Sequence, residues 1–220
     1  MDPTISAHLE SFATTLGPES DAVLTEMETL ASERSFPIVG GAVGGWLAVL
    51  ARMVDARSVF EFGSGFGYSA YWFSRELPDD GQLVLTDLDE ENLEQAATFL
   101  ERSAFEGTTS FERGDAIETI ESYDGPFDVV LIDNEKDRYA EAFEVVREKV
   151  SPGGIVLADN MIDAGSIEFS SLTELLSGTS VETTASTRGI AEYLETVRAD
   201  PAFETALLPL GEGLAVSHRQ

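Results

Sequence analysis

A lysine set among acidic residues is the first candidate for chemistry in this sequence. Lys136 lies in the stretch LIDNEKDRYAEAF, three residues after Asp133, and is one of only two lysines in the chain. A lysine amine can accept a proton, whereas the guanidinium of arginine does not deprotonate in proteins. A nearby cation and a helix N-terminus would favour the neutral amine, although Glu135 and Asp137 oppose this. We interpret Lys136 as a candidate general base rather than the partner of Asp137 or Glu141 in a surface ion pair.

Three oxygen-bearing side chains end two strand-like runs. Asp133 ends DVVLID, and Asp159 and Asn160 end GIVLADN. Ligands of open α/β sheets bind outside the carboxyl ends of the strands, so these side chains would converge if the two strands are neighbours. Carboxylate and amide oxygens suit a hard cation such as Mg²⁺. The alternative is that Asp133 caps the next helix and that Asp159 and Asn160 form a turn.

A glycine-rich loop follows the first strand-like run. FEFGSGFGYSA places Gly63, Gly65 and Gly67 in the spacing G-x-G-x-G, which differs from the G-x-G-x-x-G of a dinucleotide pyrophosphate site. Glu61, two residues before the loop, would repel a pyrophosphate but attract an ammonium or sulfonium group. Asp87, at the end of the second strand, could accept hydrogen bonds from ribose hydroxyls. The pattern favours S-adenosylmethionine (SAM) as the ligand; the alternative is an ordinary strand–turn–helix with surface acids.

Alternating strands and helices would position these residues. Residues 5–54 have helical spacing, interrupted at Gly17-Pro18 and near Phe36-Pro37. Five strand-and-turn units then follow, which predicts an α/β fold with a mostly parallel sheet covered by helices on both faces. The predicted strands begin at SVFEF (58–62), QLVLTD (82–87), TTSFER (108–113), DGPFDVVLID (124–133) and SPGGIVLADN (151–160). After a helix at 190–199, FETALLPL and GLAVSHR predict a final hairpin. We expect a single domain, residues 1–220, with a helical extension (1–54) on an α/β core (55–220).

The composition restricts the classes of function. The formal net charge is -28, with acids spread along the whole chain and a hydrophobic fraction of 43%. This pattern indicates a cytoplasmic protein from a salt-rich interior, where charge repulsion is screened within roughly 3 Å at 1 M salt. A basic protein partner is the alternative interpretation. There is no basic stripe for a nucleic acid, and with no cysteine neither a disulfide nor a thiolate metal site is possible.

The N-terminus and one apolar stretch bear on targeting and membrane insertion. The N-terminus, MDPTISAHLESF, has neither the basic start nor the apolar core of a secretory signal. The uncharged stretch IVGGAVGGWLAVLA (38–51) has 14 residues, and a membrane span needs about 20. Its small residues at four-residue spacing favour a buried helix with close backbone packing. We expect no membrane association.

The motifs taken together resemble the cation-dependent O-methyltransferase family, which includes catechol and caffeoyl-CoA O-methyltransferases. The matching segments run in the family's order from about residue 36 to 219: FPIVGGAVGGWLAVLARM, VFEFGSGFGYSA, LTDLDEENLEQA, GDAIE, FDVVLIDNEKDRYAEAF, GGIVLADNMI and DPAFETALLPLGEGLAVSHR. The resemblance implies a Rossmann-like methyltransferase fold with a seven-stranded sheet, Mg²⁺ or another divalent ion, and a homodimer. It also implies transfer of a methyl group from SAM to a hydroxyl of a catechol-like small molecule.

The resemblance also assigns roles to individual residues. It implies that Lys136 is the catalytic base and that the metal is held by Asp133, Asp159 and Asn160. It implies that SAM is held by Val39 (a loose match), Glu61, Gly63, Ser64, Ser69, Asp87, Asp115, Ala116 and Asp133. In this set Glu61, Gly63, Ser64 and Ser69 would hold the methionine portion of SAM. Asp87 would hold the ribose, and Asp115 and Ala116 would border the adenine. Neither the catechol enzymes' aromatic gate nor the acyl-CoA enzymes' insert is recognisable, so the acceptor stays open.

Three other functions are compatible with parts of the pattern. The same chemistry could act on a modified tRNA base, although the chain lacks a basic stripe for RNA. A nicotinamide-dependent oxidoreductase would share the fold, but the glycine spacing and Glu61 oppose it. A SAM-binding protein without catalysis would not need Lys136 together with the three candidate metal ligands.

Overall fold

The computed structural model describes residues 7–162 and 165–220. The predicted start of the first helix at residues 5 and 6 lies outside these ranges. The described helices are α1 (Ala7–Leu16), α2 (Ala22–Arg34), α3 (Gly40–Met53), α4 (Tyr68–Ser74), α5 (Glu90–Leu100), α6 (Ala116–Thr119), α7 (Tyr139–Val146), α8 (Phe169–Leu176) and α9 (Ala185–Ala199). The strands are β1 (Ser58–Phe62), β2 (Gln82–Asp87), β3 (Thr108–Arg113), β4 (Phe127–Ile132), β5 (Val150–Ala158), β6 (Phe203–Leu208) and β7 (Leu214–Arg219).

The seven strands form one sheet in the order β3-β2-β1-β4-β5-β7-β6. Pairs among β1 to β5 are parallel, whereas β7 is antiparallel to both β5 and β6. The predicted α/β fold, its mostly parallel sheet and its C-terminal hairpin are therefore confirmed. The strand order also places the carboxyl end of β4 between those of β1 and β5, so the residues that follow these three strands meet at one edge.

Two apolar cores lie on opposite faces of the sheet. On one face, helices α2 to α5 bury Leu24, Leu47 and Trp72, and on the other α7 and α9 bury Phe143 and Tyr193. The apolar stretch 38–51 contributes to α3, as predicted, and a side chain at Gly44 would meet the Trp72 ring at 2.1 Å. In the described part of the chain, no helix has the length and apolar character needed to cross a membrane.

Side-chain caps start the helices that flank the site. Asp21 accepts hydrogen bonds from the backbone N–H groups of Val23 and Leu24, both at 2.9 Å, and so caps α2. Asp89 caps α5 through Glu91 N at 3.0 Å, and acids in the first turn complement the helix dipole. Each such cap contributes about 1 kcal/mol to the stability of its helix.

Two expectations need correction. The segment KDRYAEAFEVVREKV (136–150) predicts one helix, but α7 is flanked by 3-10 turns, Lys136–Arg138 before it and Arg147–Lys149 after it, and Val150 begins β5. No side chain caps the first turn, and α9 packs against it so closely that a side chain at Gly189 would meet Lys136 O at 2.4 Å. Tertiary packing therefore shapes this turn. Helix α8 lies in a stretch where the sequence predicted no element.

Candidate active site

A cavity of about 400 Å³ opens at the carboxyl ends of β1, β4 and β5. Nine of the predicted site residues line it: Val39, Gly63, Ser64, Ser69, Asp87, Asp133, Lys136, Asp159 and Asn160. Seven further residues complete the lining: Phe36, Pro37, Ile38, Gly65, Phe66, Tyr68 and Glu212. We call this space the site cavity. The residues singled out from three separate motifs therefore share one space.

An adjoining cavity of about 350 Å³ shares Gly63, Asp87 and Asp133 with the site cavity. The predicted residues Asp115 and Ala116 line its far part. The two spaces therefore adjoin at the glycine loop. An elongated ligand could place one end in each of them, with its middle beside Asp87.

The glycine loop is tied to both neighbouring strands. Gly63 has φ +79°, and a side chain there would meet the carbonyl oxygen of Asp133 at 2.5 Å, so only glycine permits this approach of β1 to β4. Asp87 accepts a hydrogen bond from Gly65 N at 2.9 Å and others from Asp89 N and Asn92 Nδ2. Asp87 thus holds the loop in place and keeps its remaining lone pairs directed at the cavities.

Glu61 lies fully buried beneath the loop, behind the cavity lining. Neither of its carboxylate oxygens has a hydrogen-bond partner in the described residues. Burial raises the pKa of Glu61 to about 8, with Ser69 partly offsetting this and Asp133 adding to it. A buried carboxylate in this environment is stabilised by a positive group brought close to it.

Lys136 points into the site and not towards the surface acids. Its Nζ donates to Asp133 Oδ1 at 2.8 Å and to the backbone oxygen of Asn134 at 3.2 Å. Glu141, one expected partner for a surface ion pair, bonds Arg138 instead at 2.9 Å. Asp133 caps no helix, because the turn and α7 that follow it lack any side-chain cap. The helix-cap alternative for Asp133 is therefore wrong.

Asp159, Asn160 and Asp133 come together around a buried tyrosine. Tyr139 OH lies 3.4 Å from Asp133 Oδ1 and 3.3 Å from Asn160 Oδ1. Asn160 Nδ2 lies 3.5 Å from Asp159 Oδ2, and the backbone of Asn160 is left-handed, with φ +66°. Tyr139 is held by an edge-to-face contact with Tyr193 at 5.9 Å.

The chemistry of this donor set fits a hard cation. Asp159 Oδ1 is buried without a partner, and burial together with Asp133 raises the pKa of Asp159 to about 8. Burial likewise raises the pKa of Asp133, although Lys136 opposes this. The buried carboxylate of Asp159, the partly buried one of Asp133 and an amide oxygen offer the hard ligands that Mg²⁺ accepts, with water completing the shell. Among the residues described, no cluster of three or more His, Cys, Asp or Glu side chains is arranged for a metal, so the amide is needed.

Asp115 already has partners in the adjoining cavity. Its Oδ1 accepts from Ile117 N at 2.8 Å and caps α6, while Oδ2 pairs with Arg138 at 2.5 Å. Burial raises the pKa of Asp115, but the bonds from Arg138 and Ile117 outweigh this and leave it below its usual value. Asp115 is therefore a charged, oriented wall of this cavity.

Several residues in or next to the lining were missed in the sequence. Tyr139 lies three residues after Lys136, and that spacing could have placed it at the site. Phe36 and Ile38 belong to the apolar segment before α3, and nothing else in the sequence marks them as site residues. Glu212 lies in the turn between β6 and β7, more than fifty residues from Asn160, so only the antiparallel insertion of β7 brings it near.

The chain belongs to the O-methyltransferase family, whose sequence model matches residues 18–220. A catechol O-methyltransferase of Niastella koreensis is 32% identical over 165 residues, covering 72% of this chain and 74% of the relative. Caffeoyl-CoA O-methyltransferase 2 of Populus trichocarpa is 23% identical over 214 residues, covering 94% and 85%. The expected family resemblance is confirmed.

Solved structures share the fold over nearly the whole chain. The O-methyltransferase TomG from Streptomyces achromogenes, in complex with SAM, has a TM-score of 0.82 at 23% identity and covers 97% of this chain and 96% of its own. An O-methyltransferase from Bacillus cereus in complex with SAH has a TM-score of 0.80 at 22% identity, covering 97% of each chain. At this identity the likeness establishes the fold.

Proposed function

We propose that the protein transfers a methyl group from SAM to one hydroxyl of a small catechol-like acceptor, with help from a divalent cation. The observation that carries this is the meeting of Lys136 with Asp133, Asp159 and Asn160 in one cavity beside the glycine loop. Family membership supplies the reaction class. A binding protein without catalysis would have no use for a lysine directed at two buried carboxylates.

SAM would occupy the site cavity and the adjoining cavity together. Its positively charged methionine end would lie in the site cavity above Glu61, where a cation relieves the cost of the buried carboxylate. Its ribose would lie beside Asp87 and its adenine in the adjoining cavity near Ala116. Ser64 and Ser69 line the methionine end and can donate to a carboxylate there.

The chain's own residues would orient the acceptor and remove its proton. Lys136 Nζ would accept the hydroxyl proton as the new oxygen–carbon bond forms and the carbon–sulfur bond of SAM breaks, leaving S-adenosylhomocysteine. A divalent cation held by Asp133, Asp159 and Asn160 would supply Lewis-acid chemistry that lowers the pKa of the attacking hydroxyl. Tyr139 would hold Asp133 and Asn160 close together through its hydroxyl. Because burial raises the pKa of Tyr139 well above the usual value, the hydroxyl keeps its proton and can donate a hydrogen bond.

The cavity lining favours a small acceptor without phosphate groups. Among the described residues that line the site cavity, Lys136 is the only basic one. Phe36 and Ile38 add apolar surface to the lining, which suits an aromatic ring. A coenzyme A thioester or a tRNA would bring phosphates to a lining with one basic side chain among the described residues, so both are weaker candidates.

Three further properties belong to this proposal. Neighbouring acidic residues repel one another, so we propose that folding and activity require molar salt in a salt-rich cytoplasm. We propose that the chain is one domain, because α2 and α3 complete the same core as β1 and α4. We also propose a homodimer, on the resemblance to the family.

An acceptor panel tests the proposal. Methyl transfer from labelled SAM would be measured with catechol, its monohydroxyl analogue phenol, caffeoyl-CoA, and tRNA carrying a hydroxylated base, all in 2 M KCl with Mg²⁺. We expect transfer to catechol and at least about tenfold less to phenol, since phenol lacks the second oxygen for the cation. Transfer to tRNA alone would reject the small-molecule acceptor and keep the reaction class.

A further inference from the structure

The side chain of Asn160 has two chemically different ends that face opposite ways. Its Nδ2 donates a short hydrogen bond to Glu212 Oε2, and its Oδ1 lies 3.3 Å from Tyr139 OH. An amide nitrogen can only donate and a carboxylate can only accept, so the bond to Glu212 fixes which end of the amide faces Tyr139. The amide oxygen lies beside the Tyr139 hydroxyl, which is also 3.4 Å from Asp133 Oδ1, while Nδ2 lies between Glu212 and Asp159 Oδ2, 3.5 Å from the latter.

The backbone holds Glu212 at that position. Ile162 N donates to the carbonyl oxygen of Glu212 at 2.7 Å, and Met161 N donates to Gly213 O at 2.9 Å. These bonds join the turn between β6 and β7 to the segment that follows Asn160. The backbone of Glu212 is therefore fixed beside Asn160, and its side chain, although exposed, lines the site cavity and reaches the Asn160 amide.

We propose that Glu212 is a positioning residue that fixes the amide of Asn160 so that its oxygen is available to a divalent cation. This inference rests on the proposed function, because it assumes that a cation binds at Asp133, Asp159 and Asn160. Without Glu212 the amide can rotate by half a turn and present its NH₂ group, which repels a cation and cannot ligate it. Partners that orient metal ligands typically change metal affinity by 10–100-fold when they are replaced.

The test is a double-mutant cycle on Mn²⁺ affinity, measured by the free-ion EPR signal without SAM or acceptor. The variants are Glu212→Gln, Asn160→Gly and the double variant; glycine accommodates the positive φ of Asn160. Glu204→Gln, on the exposed side of β6, removes the same charge away from the site. Circular dichroism of every variant in 2 M KCl verifies the fold.

We expect Glu212→Gln to weaken Mn²⁺ binding about tenfold in the wild-type background and less than about twofold in the Asn160→Gly background. Glu204→Gln should leave the affinity unchanged. An equal loss in both backgrounds would mean that Glu212 attracts or binds the ion directly, and would overturn the inference. So would a loss in Glu212→Gln no larger than in Glu204→Gln.

Absence of Mn²⁺ binding by the wild-type protein would reject the proposed cation site, and the inference with it. Wild-type binding that is insensitive to Glu212 would reject the positioning role only. The two failures are therefore separate results of the same experiment.

Discussion

Acidic residues experience opposite environments in two regions of this molecule. On the surface, Glu26 pairs with Arg102 at 2.7 Å, and the hydrogen bond from Arg102 lowers the pKa of the fully exposed Glu26. At the carboxyl edge of the sheet, Glu61 and Asp159 are almost without solvent contact, and burial raises both of their pKa values to about 8. The same chemical group is thus stabilised as an anion in one region and destabilised in the other.

The surface and the buried carboxylates therefore have different roles in this chain. Surface carboxylates stay charged without any ligand, because water and arginines solvate them, and they keep the protein hydrated. The buried carboxylates lack such partners and favour a positively charged ligand. On this account the net charge of -28 says little about the reaction, whereas three acids at the carboxyl edge of the sheet define the site: the buried Glu61 and Asp159 and the partly buried Asp133.

The largest effect is expected for Asp159→Ala. Removing this carboxylate should abolish stimulation by Mg²⁺ and lower turnover by about 10³-fold or more, because a bound cation supplies several kcal/mol of stabilisation in the transition state. Turnover would be measured against Mg²⁺ concentration, with the exposed Asp80→Ala as the charge-matched control. Retained Mg²⁺ stimulation in Asp159→Ala would place the cation elsewhere.

The next effect concerns the pH dependence of stability at Glu61. The pKa of Glu61 is about 8 in the folded protein, compared with an ordinary value of 4.5. Between these pH values Glu61 is protonated in the folded state and ionised in the unfolded state. Its contribution to the free energy of unfolding therefore falls as pH rises through that range. The free energy of unfolding of the SAM-free wild type should fall by as much as about 4 kcal/mol relative to Glu61→Gln between pH 4.5 and pH 8. Denaturant titrations at each pH measure the difference, and parallel curves for the two proteins would contradict it.

A smaller effect is expected from the base. Lys136→Ala and Lys136→Arg should both slow methyl transfer by about 10²-fold and leave SAM affinity unchanged, because arginine keeps the charge but cannot accept the proton. The matched control is Lys149→Arg, since Lys149 holds the carbonyl oxygens of Ile120 and Tyr123 at 2.6 Å and lies outside the site lining. If Lys136→Arg retained wild-type turnover, the charge alone would matter and Lys136 would not be the base.

The smallest effect is expected at the surface. Glu26→Gln breaks an exposed ion pair, which is screened in molar salt. Its melting temperature in 2 M KCl should lie within about 2 °C of the wild type. A shift as large as that of a buried-core variant would show that surface acids and site acids do not differ as described.

The sequence predicted the fold and most of the lining because local patterns encode both. SVFEF, QLVLTD and TTSFER match β1, β2 and β3 residue for residue, since short runs rich in β-branched and aromatic residues between turn residues are typical of strands. Asp133 and Asp159 could be paired because parallel strands share an edge. The single domain, the homodimer and the role of every site residue stay predictions.

What the sequence could not predict depends on tertiary contacts. The 3-10 turn at Lys136 follows from packing against Gly189 in α9, and no local pattern marks it. Glu212 reaches Asn160 only because β7 inserts between β5 and β6. The hydrogen bond from Lys136 to Asp133 was also not predicted, because Asp137 and Glu141 were the partners considered along the chain.

The most direct test of the central claim is methyl transfer from labelled SAM to catechol in 2 M KCl, measured with Mg²⁺ and again with excess chelator. The account predicts transfer that is lost on chelation and restored by added Mg²⁺, because the buried carboxylates hold the cation that binds the acceptor. Transfer that continues undiminished in chelator would contradict the account and would reject cation binding as the role of the site carboxylates.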